Sequence, residues 1–140
     1  LIDRIETGLL SHGNDVTLAN NPIESGLNRF FKMGKTADYL GKQALEKIVA
    51  EGTAQQFVRL VFSGDPIANP RETYPLSVSG TAELGQVTSV IHSPRLGHNV
   101  GLGYVPASAT AVGTSVTLSL PSGTVSGNIA DKDWHTEPTQ

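Results

Sequence analysis

The chain has 140 residues, ten of them basic and thirteen acidic, for a formal net charge of −3 at pH 7, and it contains no Cys. This length supports one domain with one substantial core. The sequence has no Lys/Arg cluster, which argues against a nucleic-acid partner. It has no run of about 18 apolar residues, so no membrane span is predicted. The lack of Cys excludes disulfides and thiolate chemistry.

The first 31 residues predict a short helix, a loop and a short strand. Apolar residues between Leu1 and Leu10 recur at near-helical spacing, and Gly8 provides a stop. Residues 11–21 are polar and rich in turn formers, which predicts a loop. Residues 23–31 are expected to form a short strand.

The clearest helix is predicted over residues 42–51. Its apolar side chains share one face, at Ala44, Leu45, Ile48 and Val49. Gly41 can serve as the N-cap and Gly52 as the C-terminal stop.

After Gly52 the pattern changes to strand-like alternation interrupted by Gly and Pro. Strands are predicted at 57–62, 74–78, 83–91, 100–105, 116–120 and 124–129, with a long loop at 63–73 that holds Asn69 and Pro70. The polar tail, residues 131–140, is expected to fray. This spacing predicts a mainly β fold with one principal helix (α+β), a small antiparallel Greek-key or jelly-roll-like barrel.

No metal or nucleotide site is predicted. None of the four histidines is paired at helical ligand spacing, so we interpret them as exposed loop and strand residues: His12, His92, His98 and His135. Gly101-x-Gly103 begins like a dinucleotide fingerprint, but Pro106 stands where the third Gly belongs and no helix follows. We interpret these glycines as barrel-strand positions where backbones approach closely.

No catalytic residue is predicted either. Asp15 and Glu24 lie in or beside a loop, and acid–base work would require them to be paired and partly desolvated, so we interpret them as surface carboxylates. Thr88 and Ser89 lack a visible partner base. We expect one of them to face the core and the other to face solvent.

Residues 84–106 carry the most specific pattern of the chain. They contain, in order, Gly-x-Val-Thr-Ser, Ser-Pro-x-Leu-Gly-x-Asn and Gly-Tyr-Val-Pro. Further segments precede them in a matching order: Arg-Ile-Glu-x-Gly-Leu at 4–9, His-Gly-Asn-Asp at 12–15, Asn-Pro-Ile-Glu-Ser-Gly-Leu at 21–27, Asp-Tyr-Leu-Gly-Lys-Gln-Ala-Leu at 38–45, Arg-Leu-Val at 59–61 and Tyr-Pro-Leu at 74–76. Together these motifs resemble the C-terminal barrel domain of the glycine-cleavage T-protein (aminomethyltransferase) family over nearly the whole chain.

Two positions depart from that family. His12 stands where the family usually has an aromatic residue, and Asn21 replaces the usual Thr before Pro22. Residues 8–15 also resemble segments of folate-dependent demethylases, including those that act on dimethylsulfoniopropionate, and of domains fused to sarcosine or dimethylglycine dehydrogenases. The resemblance therefore leaves the methyl or aminomethyl donor open.

The resemblance implies a tetrahydrofolate-dependent one-carbon transferase whose catalytic carboxylate and most of whose folate site lie in lobes that precede this domain. The chain has no initiator Met, and we expect it to be the C-terminal part of a longer protein, inactive alone, with residues 1–30 as the junction and 31–140 as the barrel domain that closes the folate channel. Leu1, Ile2 and Ile5 are expected to pack on a preceding lobe or in a homodimer. The implied compartment is the cytoplasm, or the mitochondrial matrix in a eukaryote.

Arg4 and Glu6 are the cofactor-binding candidates. Arg can grip the glutamate carboxylate of folate with two donors, and a carboxylate can recognise the amide and amine edge of the pterin. In the family, pterin recognition belongs chiefly to residues upstream of this chain. The alternative to cofactor contact is that Arg4 and Glu6 form a structural ion pair at the domain junction. For the whole chain, the alternative to an enzyme domain is a standalone binding module that kept the barrel without the chemistry.

Overall fold

The computed structural model describes residues 1–31, 34–68 and 72–138. The described residues form two α-helices and six strands: α1 (Ile2–Thr7), α2 (Lys42–Glu51), β1 (Gln55–Phe62), β2 (Tyr74–Val78), β3 (Leu84–Ser93), β4 (His98–Pro106), β5 (Ser115–Leu120) and β6 (Gly123–Ala130). Each predicted strand from residue 57 onward is confirmed, as is the principal helix. Asn69 and Pro70 of the predicted loop and the last two residues of the predicted tail lie outside the described residues.

The six strands close into an antiparallel barrel in the order β1-β4-β3-β2-β5-β6. Strands β2, β3 and β4 follow one another as neighbours, and β1 lies beside β4, which is a Greek-key arrangement. The predicted fold class, a mainly β antiparallel barrel, is therefore confirmed.

The barrel is apolar inside and, on one side, also outside. Alternate residues of β1, including Leu60 and Phe62, fill the interior with residues of the other strands. Val61 points the opposite way and joins a second buried cluster with Ile5 of α1 and Trp134. Because this second cluster covers the outer face of the barrel beside α1, the strand β1 is buried on both faces at its end.

The predicted strand at residues 23–31 is wrong. Residues 23–31 form turns and a short 3₁₀ helix, Asn28–Phe30, instead of a strand. The reason is local: the Asn21 side-chain oxygen accepts hydrogen bonds from the backbone N–H groups of Ile23 and Glu24, at 3.0 and 2.9 Å, which favours a turn.

The expectation that Ile5 packs on a preceding lobe or in a homodimer is wrong, because Ile5 is fully buried in this chain's own second cluster. For Leu1, which is 63% exposed, and for the partly exposed Ile2, the same expectation stays a prediction. The tail is not uniformly loose either. Trp134 is buried, and its indole N–H donates to the carbonyl of Glu6 at 2.6 Å.

The interpretation of Gly101 and Gly103 as close-approach positions is confirmed. A Cβ on Gly103 would lie 2.2 Å from the backbone oxygen of Gln86 on β3, and one on Gly101 would lie 3.1 Å from a ring carbon of Phe62. In the part of the chain that the structure describes, no helix is long and apolar enough to cross a membrane.

Candidate functional site

A buried polar network joins the N-terminal arm, residues 1–31, to the barrel. At its centre is Asp15, whose carboxylate is fully buried. It pairs with the Arg4 guanidinium and accepts hydrogen bonds from the Thr88 and Ser89 hydroxyls, both at 2.6 Å, and from the Ser11 backbone N–H at 2.9 Å. The Asn14 side-chain amide also donates to it, at 3.4 Å, so five donors from three segments meet on one carboxylate.

The two hydroxyls meet there because β3 is irregular at this point. The pairing of β3 with β4 shifts between Val87 and Ser89, so Thr88 is an extra residue in the strand. Thr88 and Ser89 are consequently both buried and both face Asp15, and the expectation that one faces solvent is wrong.

The electrostatics of Asp15 favour the anion. Burial acts to raise the pKa of the carboxyl, but the hydrogen bonds from Ser89, Thr88, the Ser11 backbone and Arg4 outweigh it, so the pKa lies below its usual value. A carboxylate that is ionised and fully bonded has no free lone pair in position for proton transfer. Asp15 therefore acts as an electrostatic anchor in this arrangement.

Arg4 has its donors directed inward. Besides Asp15, it donates to the Ser89 hydroxyl at 2.8 Å and to the carbonyl of Leu9 at 2.9 Å. Its side chain is 19% exposed. A cofactor that used Arg4 would have to share or replace these partners.

Glu6 belongs to a separate pair. Its carboxylate accepts from the Arg95 guanidinium at 2.6 Å and from the Ser93 hydroxyl at 2.5 Å. Burial opposes ionisation, but these two bonds lower the pKa of Glu6 below its usual value. The predicted Arg4–Glu6 ion pair is wrong, because residues two apart on a helix point to different sides.

Glu24 is the third buried carboxylate. It is held by amide groups, with Asn20 at 2.9 Å, Asn21 at 3.1 Å and Gln55 at 3.3 Å. The interpretation of Asp15 and Glu24 as surface carboxylates is therefore wrong for both. The Asn-Asn pair immediately upstream was the available sequence signal for Glu24, whereas the partners of Asp15 on β3 lie more than 70 residues away.

A cleft of about 700 Å³ lies between the arm and the barrel. Among the described residues that line it there is no Asp or Glu, and its charged or titratable side chains are basic: His12, Arg29, Arg59 and Lys132. The apolar walls include Leu27, Phe30 and Phe57. Sequence reasoning missed this cleft because its basic residues come from four distant segments.

Arg59 spans the floor of this region. It donates to the Thr7 carbonyl at the end of α1, at 3.2 Å, and to the carbonyl of Lys132, and it lies 5.5 Å from the centre of the Trp134 ring. Gly8 leaves room for it, since a Cβ there would lie 2.3 Å from a guanidinium nitrogen. Arg59 thereby ties the end of α1 to the segment after β6.

The histidines make no hydrogen bond to Asp15 in the described residues, although His12 lines the cleft. His12 and His135 are exposed, and His92 and His98 are partly exposed. Among the residues that the structure describes, no group of three or more His, Asp or Glu is arranged to hold a metal ion.

Comparison with known proteins places these features in a family context. Residues 55–133 match the family model described as the glycine cleavage T-protein C-terminal barrel domain. The chain is 40% identical to the dimethylsulfoniopropionate demethylase DmdA of Ruegeria pomeroyi over 133 residues, which cover 95% of this chain and 35% of that protein. It is 34% identical to an aminomethyltransferase of Halothermothrix orenii, over 90% of this chain and 34% of that protein.

A solved structure agrees in fold. The aminomethyltransferase T of the Bartonella henselae glycine cleavage system superposes with a TM-score of 0.80 at 26% sequence identity, over 94% of this chain and 36% of that chain. The chain thus spans about a third of the length of the relatives that it matches.

Proposed function

This chain belongs to the glycine cleavage T-protein C-terminal barrel family, and from that premise we propose that it is the C-terminal domain of a longer, tetrahydrofolate-dependent one-carbon transferase. The observation that carries the proposal is that the alignments cover nearly all of this chain but only about a third of each relative. Nearly all of this chain, 95%, aligns with DmdA, but that alignment takes up only 35% of DmdA. The preceding lobes of the same polypeptide are the proposed partners, and the cytoplasm, or the mitochondrial matrix in a eukaryote, is the proposed compartment.

In this proposal the domain closes the folate channel and supplies no catalytic group. The side chains of Asp15, Glu6 and Glu24 are all engaged by donors of this chain, which supports a structural use for each. The catalytic carboxylate would come from the preceding lobes, and the isolated 140-residue chain would be inactive.

Two donor classes remain as candidates, and the identities favour one of them. The match to the dimethylsulfoniopropionate demethylase, at 40%, exceeds the 28–34% of the aminomethyltransferases. With a sulfonium donor, the methyl group would leave sulfur, which becomes a thioether, and bond to N5 of tetrahydrofolate as that nitrogen loses its proton. We propose this demethylation as the first reaction to test and aminomethyl transfer as the second.

Direct contact of Arg4 and Glu6 with folate stays a prediction. The bonds from Arg4 to Asp15 and from Glu6 to Arg95 support a different role, in which both residues hold α1 on the barrel. Residues that lie just before Leu1 would then be positioned by α1 relative to the barrel.

The test uses the full-length protein that carries this domain. We expect it to bind tetrahydrofolate and to form 5-methyltetrahydrofolate from dimethylsulfoniopropionate. We expect Arg4→Ala to lower the melting temperature and to leave the calorimetric folate affinity nearly unchanged, with the exposed Lys47→Ala as the matched control. If Arg4 grips the glutamate tail of folate instead, the affinity should fall by about 1.5–3 kcal/mol, the scale of a charged hydrogen bond.

Two outcomes would contradict the proposal. If the full-length protein transferred a one-carbon group to folate from neither donor class, the proposed reaction would be wrong. Tight folate binding by the 140-residue chain alone would show that the site lies in this domain and not in preceding lobes.

A further inference from the structure

The cleft between the arm and the barrel concentrates positive charge in a chain that is acidic as a whole. The net charge of the chain is −3, yet the described residues that line this cleft of about 700 Å³ include no Asp or Glu. Its cationic side chains come from the arm, from β1 and from the segment after β6, at Arg29, Arg59 and Lys132. A cleft of this size and charge is suited to a small anionic molecule.

The same cleft also gathers exposed apolar side chains. Three of those that line it are well exposed: Leu9 at 64%, Phe30 at 71% and Val112 at 59%. Single exposed apolar residues scattered over a surface need no explanation, but a group of them around one concavity indicates a binding surface. The lining therefore combines apolar walls with cationic groups.

The two arginines of the cleft retain donors for a ligand. Each Nη atom of Arg59 carries two N–H groups, and in the described residues Nη1 donates to the carbonyl of Lys132 and Nη2 donates to that of Thr7. Arg29 is exposed, lies 4.7 Å from the centre of the Phe30 ring and forms no ion pair within the described residues. Arg29 thus places a positive charge beside an apolar wall.

The charges around Arg59 favour a bound anion. Burial lowers the pKa of its guanidinium below the usual value, and the positive charge of Arg29 acts in the same direction, against Asp133 and Asp131. These two aspartates do not line the cleft, and the Asp131 carboxylate accepts hydrogen bonds from the backbone N–H groups of Asp133 and His135. An anion in the cleft would offset the repulsion between the two guanidiniums.

We propose that this cleft binds a small organic acid, with its oxyanion group at Arg29 and Arg59 and its apolar or aromatic body against Phe30 and Val112. Guanidinium groups suit this role because they hold planar oxyanions through paired, charge-assisted hydrogen bonds. The inference goes beyond the proposed one-carbon transfer, since the ligand is an acid other than the folate of that reaction.

The probe is 8-anilinonaphthalene-1-sulfonate, an organic anion whose fluorescence rises in an apolar site, titrated into the full-length protein that carries this domain. We expect saturable binding that weakens with added salt and persists at saturating tetrahydrofolate. N-phenyl-1-naphthylamine, which has the same rings without the sulfonate, should bind about ten-fold more weakly, the scale of a lost charged hydrogen bond.

Variants locate the bound probe. Arg29→Gln should weaken sulfonate binding by about ten-fold and leave the melting temperature unchanged, because Arg29 is exposed. Phe30→Ser should weaken binding of both probes. Lys47→Gln removes the same charge at an exposed position outside the cleft and should bind like wild type.

Four outcomes would overturn the proposal. Equal affinity of wild type and Arg29→Gln, or of the charged and neutral probes, would show that the cationic groups do not hold the ligand. A lack of saturable binding would show that the cleft is covered in the full-length protein, and displacement by tetrahydrofolate would assign the cleft to the folate site. None of these titrations measures methyl transfer, so the failure of this site and the failure of the proposed reaction are distinguishable.

Discussion

Asp15 connects three parts of the molecule at the level of single atoms. Its carboxylate binds Arg4 of α1 and two hydroxyls of β3, and its backbone carbonyl accepts a hydrogen bond from the Tyr104 hydroxyl on β4 at 3.0 Å. Because the side chain is fully buried, these contacts are made without competition from water. The loop that contains Asp15 is therefore fixed to the barrel by polar contacts.

We predict that Asp15→Asn destabilises the protein by about 3 kcal/mol, since removal of one partner leaves a partly buried guanidinium without its counter-charge. The new amide would also present N–H groups to the donors that now surround the carboxylate. Urea unfolding at pH 7 measures the difference. Asp3→Asn, the same change at an exposed position of α1, should stay within about 0.5 kcal/mol of wild type.

The pH dependence of this loss follows from the lowered pKa of Asp15. A carboxyl whose pKa is depressed by folding stabilises the native state fully above its unfolded pKa of about 4, and loses that contribution as pH falls through the depressed value. The gap between wild type and Asp15→Asn should therefore be constant from pH 7 to pH 5 and shrink below about pH 4. A gap of the same size at pH 2.5 would mean that the lost contacts do not depend on ionisation.

At this scale the sequence indicated some important residues but not their partners. Arg4 and Glu6 were expected to matter, and both are held by several polar contacts, yet neither pairs with the other. The partners Asp15 and Arg95 are 11 and 89 residues away. The partner of each residue depends on which strand lies beside α1, and the residues near Arg4 and Glu6 in the sequence do not indicate that strand.

The strands were more predictable than the site because their signal is local. Alternation and Gly/Pro turns located all six, with ends displaced by two residues at most. The bulge at Thr88 in β3 could not be predicted from the alternation of apolar and polar residues, because no Gly, Pro or other residue type in this segment distinguishes the extra residue. The strand prediction at residues 23–31 was wrong for a related reason. The segment is apolar enough for a strand, but the hydrogen bonds that the Asn21 side chain accepts from the backbone favour a turn.

Gly103 provides a test of how closely β3 and β4 approach. A Cβ at this position would meet the backbone oxygen of Gln86, which has little freedom to move within the sheet. We predict that Gly103→Ala costs about 2 kcal/mol, in the range of overpacked core substitutions, as measured by thermal unfolding. Ser77→Ala on the exposed side of β2 is the control. Wild-type stability in Gly103→Ala would imply wider strand spacing than the structure gives.

Across the whole molecule, the two apolar clusters favour one cooperative unit. The second cluster contains Ile5 from the arm, Val61 and Val100 from the barrel, and Trp134 from the segment after β6. The indole N–H of Trp134 also bonds to the carbonyl of Glu6. The arm and the barrel therefore share a core, although the division of the chain into a junction at 1–30 and a barrel domain at 31–140 stays a prediction.

The chain has one Trp, so Trp134 reports on this shared core directly. We predict that its fluorescence and the far-ultraviolet circular dichroism of the strands change at the same denaturant concentration. Ile5→Ala should shift both midpoints together and cost about 3 kcal/mol, because Ile5 is fully buried. Ile2→Ala, on the same helix but partly exposed, should cost less. If the fluorescence changed at a lower denaturant concentration than the circular dichroism, the arm would separate from the barrel as an independent unit. The boundary near residue 30 would then divide the fold into two units.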